Sequence, residues 1–213
     1  IVRKNSFQKY RISKSQINSD IDFPTRKKVL EIIIKNIPKN IPIISTTGVA
    51  SRELFEIRSE LYNRFQTDFL TIGGMGHASQ IAAGIAIAKK DRKILCIDGD
   101  GAALMHMGVF AINSDQENLI HILINNGVHD SVGGQPSKGQ KLNFSRIAKE
   151  FGYKYSYRVN DINQINNLLI KVLGEIGSTF IEIICKPGFS KDLARPSNSP
   201  DQTKVDFIRF LSN

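Results

Sequence analysis

Two apolar runs, residues 94–97 (ILCI) and 119–124 (LIHILI), constrain the fold more than any other feature of the chain. Each ends abruptly in small or polar residues, Asp98-Gly99-Asp100-Gly101 after the first and Asn125-Asn126-Gly127 after the second. Short apolar runs bounded by turn residues read as buried strands, and the stretch between them, 102–113, carries apolar residues suited to a helix. Strand, helix and strand in succession form a right-handed crossover, which puts both strand ends on the same edge of one parallel sheet. Asp100 and Asn126 are therefore expected to be neighbours. The carboxyl edge of an open α/β sheet is also where ligands bind.

The residue types at that edge suit one kind of ligand. A carboxylate and an amide oxygen are hard donors, fit for Mg²⁺ or Ca²⁺, and Mg²⁺ commonly combines a few protein oxygens with those of a bound phosphate. Gly99, Gly101 and Gly127 leave room for a bulky ligand to approach the backbone. Either motif alone also fits an ordinary tight turn, where Gly, Asp and Asn are common. Their joint occurrence at two successive strand ends points to a metal–diphosphate site.

A GDG followed some two dozen residues later by NN resembles the signature of thiamine-diphosphate enzymes. In that family the Asp, the second Asn and a backbone carbonyl just beyond hold the Mg²⁺ of the cofactor, which implies Asp100, Asn126 and Val128 here. The segments STTGVASRELFE, FLTIGGMGHASQIAAGIAIA, GDGAALMHMG and ILINNGVHDSVGGQPS resemble the decarboxylases of 2-oxo acids in this family, the phosphonopyruvate decarboxylases first and the sulfopyruvate decarboxylases next. The resemblance runs from about residue 23 to the C-terminus and covers only the diphosphate-binding half of those enzymes. It implies cofactor contacts from Thr47 and Gly48, from Gly73, Gly74 and Met75, and from Gly99, Asp100, Gly101, Ala102, Asn126 and Val128. Met75 reads from the residues alone as a core-filling side chain; the resemblance makes it the apolar wedge over which the cofactor bends, with the Gly73 carbonyl accepting from the aminopyrimidine.

The same resemblance implies half an active site. These enzymes take a Glu from a separate pyrimidine-binding domain, so a partner is expected: the N-terminal part of the same product, another copy, or a separate subunit, in a homo- or hetero-oligomer. The chain opens with Ile, which suggests a piece of a longer polypeptide or a processed product. Val128 stands where many relatives have Gly, a change that a backbone ligand tolerates. The Glu that many pyruvate decarboxylases place after the Asn pair is absent, Ser131 and Val132 standing there instead. Catalytic candidates are His129, Asp130 and Ser131, in a loop expected to pass the diphosphate and the mouth for an anionic 2-oxo acid. His129 suits proton transfer or a phosphonate contact, and equally a loop histidine without a task. Gly133-Gly134 would let this loop move as a lid. His77, Arg52 and Arg195 are weaker candidates for the substrate's acid group, while His106 and His121 fit a helix and a strand in core or surface roles.

The rest of the pattern is regular from Pro24 onward. Helices are expected over 25–37, 51–64, 77–90, 143–151, 161–175 and 202–211, and strands over 42–45, 69–72, 154–159 (edge-like) and 180–185 besides the two central runs. Six strands alternating with helices predict a doubly wound α/β fold, a mainly parallel six-stranded sheet with helices on both faces. Residues 1–22 lack periodicity and read as a linker or arm ahead of a domain at 23–213.

The formal charge of +9 raises a nucleic-acid surface as one possibility and attraction of a small anion as another. The basic residues lie in the irregular lead and at Arg26-Lys27-Lys28, with no interleaved aromatics, so solvated side chains and no nucleic-acid partner are expected. Cys96 and Cys185 each lie in an apolar run and read as unpaired core thiols of a reducing compartment. No stretch is long and apolar enough for a membrane span or signal peptide, and a soluble cytoplasmic protein is expected. The main expectation is decarboxylation of 3-phosphonopyruvate to phosphonoacetaldehyde and CO₂ with thiamine diphosphate and Mg²⁺. A sulfopyruvate decarboxylase subunit and a noncatalytic cofactor- or phosphate-binding module stand as alternatives.

Overall fold

A computed structural model describes residues 22–62 and 68–212. The arm expected at 1–22, with its basic lead, lies outside the described residues except for Asp22. From there the chain runs α1 (Arg26–Asn36), β1 (Ile43–Ser45), α2 (Val49–Tyr62), β2 (Asp68–Leu70), α3 (Ala78–Ala88), β3 (Ile94–Gly99), α4 (Asp100–Met105), a 3₁₀ turn (Met107–Val109), α5 (Phe110–Asn113) and β4 (Leu119–Asn125). A small antiparallel hairpin, β5 (Val128–His129) and β6 (Gln135–Pro136), follows, then α6 (Phe144–Glu150), β7 (Tyr155–Val159), α7 (Ile162–Gly174), β8 (Thr179–Ile184) and α8 (Pro200–Ser212).

Helix starts follow their caps. Thr25 accepts from the Lys28 amide at 3.3 Å, Asn143 from Arg146 at 3.0 Å, and Asp161 from Asn163 and Gln164 at 2.9 and 3.1 Å, so amides left without intrahelical partners are satisfied locally. The six long strands form one sheet in the order β2-β1-β3-β4-β8-β7, every pair parallel. The central strands are apolar almost throughout because both faces are covered. On one face Leu95, Ile97, Ile120, Ile122, Ile181 and Ile183 pack under Val29, Ile33, Leu54, Ile57, Leu169 and Val172 of α1, α2 and α7. On the other, Ile94, Cys96 and Leu119 meet Ala78, Ala82, Ala86 and Phe207 of α3 and α8, while Leu123 and Phe180 meet Phe110 and Phe144. β7 is the edge strand that its half-polar pattern anticipates.

Three segments differ from the sequence expectation. The helix expected over 102–113 is broken: α4 starts at Asp100, the backbone leaves helical geometry at His106 (φ −139°, ψ 40°), and a 3₁₀ turn carrying Gly108 leads into α5. Glycine has no side chain to favour helix there, and the break packs the His106 ring against His77 at 4.6 Å between centroids. α2 begins at Val49, two residues before the expected start, directly after Gly48 in a left-handed turn (φ +94°). The stretch after Asn126, expected as a loop, contains a two-stranded antiparallel hairpin, turned through Gly133 and Gly134 at positive φ. Both cysteines are free and buried.

The chain direction reverses beside β1. From β1 it steps outward to β2, then returns to the opposite side of β1 as β3. The loops after β1 and β3 therefore diverge at their carboxyl ends and leave a crevice, the place where open α/β sheets bind ligands.

Candidate functional site

The crevice is a cleft lined by Thr46 and Thr47 from the end of β1, Gly99, Asp100, Gly101 and Ala102 from the β3–α4 junction, Asn126 after β4, and Val128, His129, Asp130 and Ser131 from the hairpin. Asp100 and Asn126 thus share one cleft, because β3 and β4 run parallel and in register up to Gly99 opposite Ile124. Met75 lines it too and touches the space above Gly101. Gly73, Gly74 and Gly48 stand just behind: the Gly73 amide donates to Thr47 Oγ1 at 3.2 Å, and a side chain on Gly48 would press against Ser131 Oγ. A side chain on Gly101 would overlap the His129 ring, at 2.5 Å, so this glycine is what lets His129 lie across the start of α4.

Asp100 is buried. Its carboxylate accepts from the Ser137 hydroxyl, and the Gly139 backbone comes so close that a Cβ there would collide with Oδ2. Burial holds the Asp100 carboxyl above its ordinary pKa, against the opposing pull of the Ser137 and Gly101 hydrogen bonds. Asn126 is also buried. Its Nδ2 donates to Asp130 Oδ2 at 2.8 Å, which leaves Oδ1 with a long 3.4 Å contact to the Val128 amide.

Asp130 is held in turn. Arg26 NH1 donates to its Oδ2 at 3.0 Å, the Gly188 amide donates to both carboxylate oxygens at 3.1 Å, and Arg26 Nε reaches Glu53 Oε2 at 2.8 Å. Burial raises the Glu53 carboxyl pKa, and Arg26 pulls the other way; the Arg26 guanidinium, flanked by two carboxylates, is held above its usual value in spite of burial. Arg26 corrects the reading of Arg26-Lys27-Lys28 as a solvated basic run: Arg26 lines the cleft, 6% exposed.

The weaker substrate candidates lie elsewhere. Arg52 donates to the carbonyls of Leu193 and Ala194 and so ties down the segment before α8. Arg195 is exposed on that segment. His77 contacts the Met75 carbonyl at 3.1 Å and packs at a tilt against the His106 ring, outside the cleft lining. His121 is fully buried in β4.

Residues 47–183 match the model of the thiamine pyrophosphate enzyme, C-terminal TPP binding domain. The chain belongs to that family. It is 30% identical over 191 residues, 89% of its length, to the phosphonopyruvate decarboxylase of Streptomyces viridochromogenes, of which those residues span 47%. It is 32% identical over 133 residues to the sulfopyruvate decarboxylase subunit beta of Methanocaldococcus jannaschii, covering 61% of this chain and 68% of that subunit. A benzoylformate decarboxylase from Polynucleobacter necessarius shares the fold, with a TM-score of 0.64 at 18% identity over 77% of this chain and 33% of that one. The chain therefore spans about half the length of the phosphonopyruvate decarboxylases it matches.

As a TPP-binding domain, the chain presents donors that fit the cofactor and its metal. Asp100 and Asn126 are hard oxygen donors, and a buried carboxylate disfavoured by desolvation is stabilised by a cation beside it. The glycines at 101 and 139 let the His129 ring and the hairpin backbone close in around Asp100 without a side chain of their own in the way. The enclosed space is about 80 Å³. Pockets that bury most of a drug-sized ligand run to roughly 300–1,000 Å³, so this cleft alone is too small to enclose one.

The cleft also uses residues that motif reading passes over. Arg26 and Glu53 act from α1 and α2, and Ser137 and Gly139 close over Asp100. Arg26 falls at i, i+3, i+4 and i+7 with Val29, Leu30 and Ile33, and Glu53 likewise shares a stripe with Ala50, Leu54 and Ile57. A charge on an apolar helical stripe is the available signal, since such a position is buried and its charge needs a partner.

Proposed function

We propose that the chain is the diphosphate- and metal-binding half of a thiamine-diphosphate- and Mg²⁺-dependent decarboxylase that converts 3-phosphonopyruvate to phosphonoacetaldehyde and CO₂. The observation that carries this reading is the meeting of Asp100 and Asn126 in one cleft at the switch point, beneath the His129 hairpin. The identity to phosphonopyruvate decarboxylases over 89% of the chain supports the choice of substrate.

In this reading the Asp100 carboxylate, Asn126 Oδ1 and the Val128 carbonyl hold Mg²⁺. The backbone at Thr47, Gly48, Gly99, Gly101 and Ala102 receives the diphosphate, while Gly73, Gly74 and Met75 shape the place of the aminopyrimidine. The bound cofactor supplies the electron sink for the pair released when the 2-oxo acid loses CO₂. His129, across Gly101, holds or passes a proton at a ring nitrogen on the substrate side, and Ser131 Oγ offers a donor beside it. Asp130 is a positioning residue: both of its oxygens are engaged by Arg26, Asn126 and Gly188, and its grip on Nδ2 fixes which end of the Asn126 amide is left for the metal. A partner domain or subunit covers the exposed side of the cofactor and contributes the pyrimidine-binding surface.

The test is Mg²⁺-dependent CO₂ release from 3-phosphonopyruvate and from sulfopyruvate by the complete enzyme. Turnover of the first acid with a higher kcat/KM supports the proposal. Preference for sulfopyruvate would favour the second reading, which rests on the identity to sulfopyruvate decarboxylase β subunits. Inactivity on both, with cofactor binding unchanged in Asp100→Ala, would leave a noncatalytic module.

A further inference from the structure

The face of the sheet opposite α1 and α2 carries a second buried polar group, which none of the roles above uses. β3 and β4 pair Cys96 with His121, and Asp98 lies two residues beyond Cys96, so the three side chains project from the same face. All three are fully buried, and one ligand-type atom from each lies within 4.8 Å of the others. The His121 ring is boxed by Phe110 and Phe180, with centroids at 5.3 and 5.0 Å, and its Nδ1 is 2.9 Å from the Tyr153 hydroxyl. Asp98 faces the other way along the strand: its Oδ1 accepts from the Gly99 amide at 2.8 Å, and Asp98 itself reaches the floor of the cleft.

Between these two ends is a gap. His121 Nε2 and Asp98 Oδ2 are 3.4 Å apart, and neither completes a hydrogen bond among the described residues. Two fully buried polar atoms at that distance need a small turn of the ring or the carboxylate as well as a closer approach to satisfy one another, since such bonds are ordinarily about 2.7–3.2 Å and near-linear.

The direction of bonding follows from the outer partner. The Tyr153 hydroxyl carries a proton it can donate, and Nδ1, 2.9 Å away, can accept it. With that bond made, the ring proton of an imidazole tautomer lies on Nε2, the nitrogen on the side of Asp98 Oδ2. We propose that Tyr153, His121 and Asp98 form a directional hydrogen-bonded chain that positions the Gly99-Asp100 turn from the far face of the sheet, and so holds the metal-binding carboxylate in place. Gly99 is the last residue of β3 and the N-cap of α4, with Asp100 next in line, so the grip of Asp98 on the Gly99 amide sets where that carboxylate points. His121 and Tyr153 are positioning residues; they do not reach the cleft. The inference rests on the reading of Asp100 as a Mg²⁺ ligand.

A transition metal bound by Cys96, Asp98 and His121 is the competing explanation of the same cluster. Structural sites of this kind take about four protein donors. Three are brought together here.

The experiment uses the complete enzyme with ¹⁵N-histidine labelling and two variants, His121→Phe and Tyr153→Phe. The imidazole signals assigned to His121 by their loss in His121→Phe should show Nε2 protonated and Nδ1 accepting, and Tyr153→Phe should shift that tautomer balance. Calorimetric Mg²⁺ affinity in the presence of thiamine diphosphate should fall about 10–100-fold in His121→Phe and by less in Tyr153→Phe, in keeping with losses seen when residues supporting metal ligands are removed. A merely structural role would lower the melting temperature without moving the Mg²⁺ affinity of the folded variant. If His121→Phe does not fold, Tyr153→Phe carries the affinity measurement. A proton on Nδ1, unchanged Mg²⁺ affinity in a folded variant, or an equimolar transition metal by elemental analysis would each overturn the proposal. A wild-type enzyme that binds no thiamine diphosphate would defeat the functional reading instead, leaving the tautomer measurement to decide whether the chain of bonds exists.

Discussion

Two buried arginines on neighbouring helices make ion pairs of similar length, and they do different work. Arg58 of α2 meets Asp68 at the start of β2 through Nε and NH2, at 2.9 and 3.0 Å, with both side chains 3% exposed. Arg26 of α1 meets Glu53 of α2 at 2.8 Å and is shared with Asp130 and the Gly188 carbonyl. The first pair locks a helix to the amino edge of the sheet. The second lies at the carboxyl edge, where Asp130 passes the constraint on to Asn126. Burial of a charge thus marks a place the fold must satisfy, and only its position relative to the strand ends tells whether a site depends on it.

Arg26→Met and Arg58→Met test that distinction most severely. Each removes a buried cation from the carboxylates it pairs with, Glu53 and Asp130 for Arg26 and Asp68 for Arg58, and is expected to cost about 3–5 kcal/mol in urea unfolding. Only Arg26→Met should also weaken Mg²⁺-dependent thiamine diphosphate binding, by roughly 10–100-fold for a lost outer support of a metal ligand. Equal losses of affinity in both variants would erase the comparison. Asp100→Ala should lower cofactor affinity in the complete enzyme by about a hundredfold or more, beyond the range for outer supports, with little loss of stability. Asp130→Asn keeps shape but removes the charge facing Arg26; a loss near tenfold in Mg²⁺ affinity is expected by calorimetry, placing it between Asp100 and the remote pair.

The smallest effect concerns the thiols. Burial pushes Cys185 up to about 12 and Cys96 well above its usual range, so neither ionises near neutrality. Iodoacetamide at pH 8 should label neither in the folded protein, and labelling on adding urea should track unfolding. Labelling of Cys96 in the folded enzyme would show that the far face of β3 opens.

The sequence carries much of this architecture because strands covered on both faces are written as unbroken apolar runs. Residues 94–97 and 119–124 announce β3 and β4, and the small polar residues after them mark the strand ends. Asp100 and Asn126 are legible for the same reason: parallel topology alone brings those ends together. The broken helix at His106 was not legible, since apolar spacing continues through it and the break is fixed by packing on His77. Nor was the Arg26–Glu53–Asp130 network, whose members lie 27 and 104 residues apart and meet only once three elements have docked. His121 reads as one polar residue in an apolar strand; that it lies between Tyr153 and Asp98 is a fact of register.

The central claim is that the two strand-end oxygens share one divalent cation. A crystal structure of the complete enzyme with thiamine diphosphate and Mn²⁺, located by anomalous scattering, tests it directly. The account predicts one peak bonded to the Asp100 carboxylate, Asn126 Oδ1, the Val128 carbonyl and the cofactor diphosphate. A cofactor bound with its cation held by other residues, or with Asn126 turned away from the cation, would contradict it.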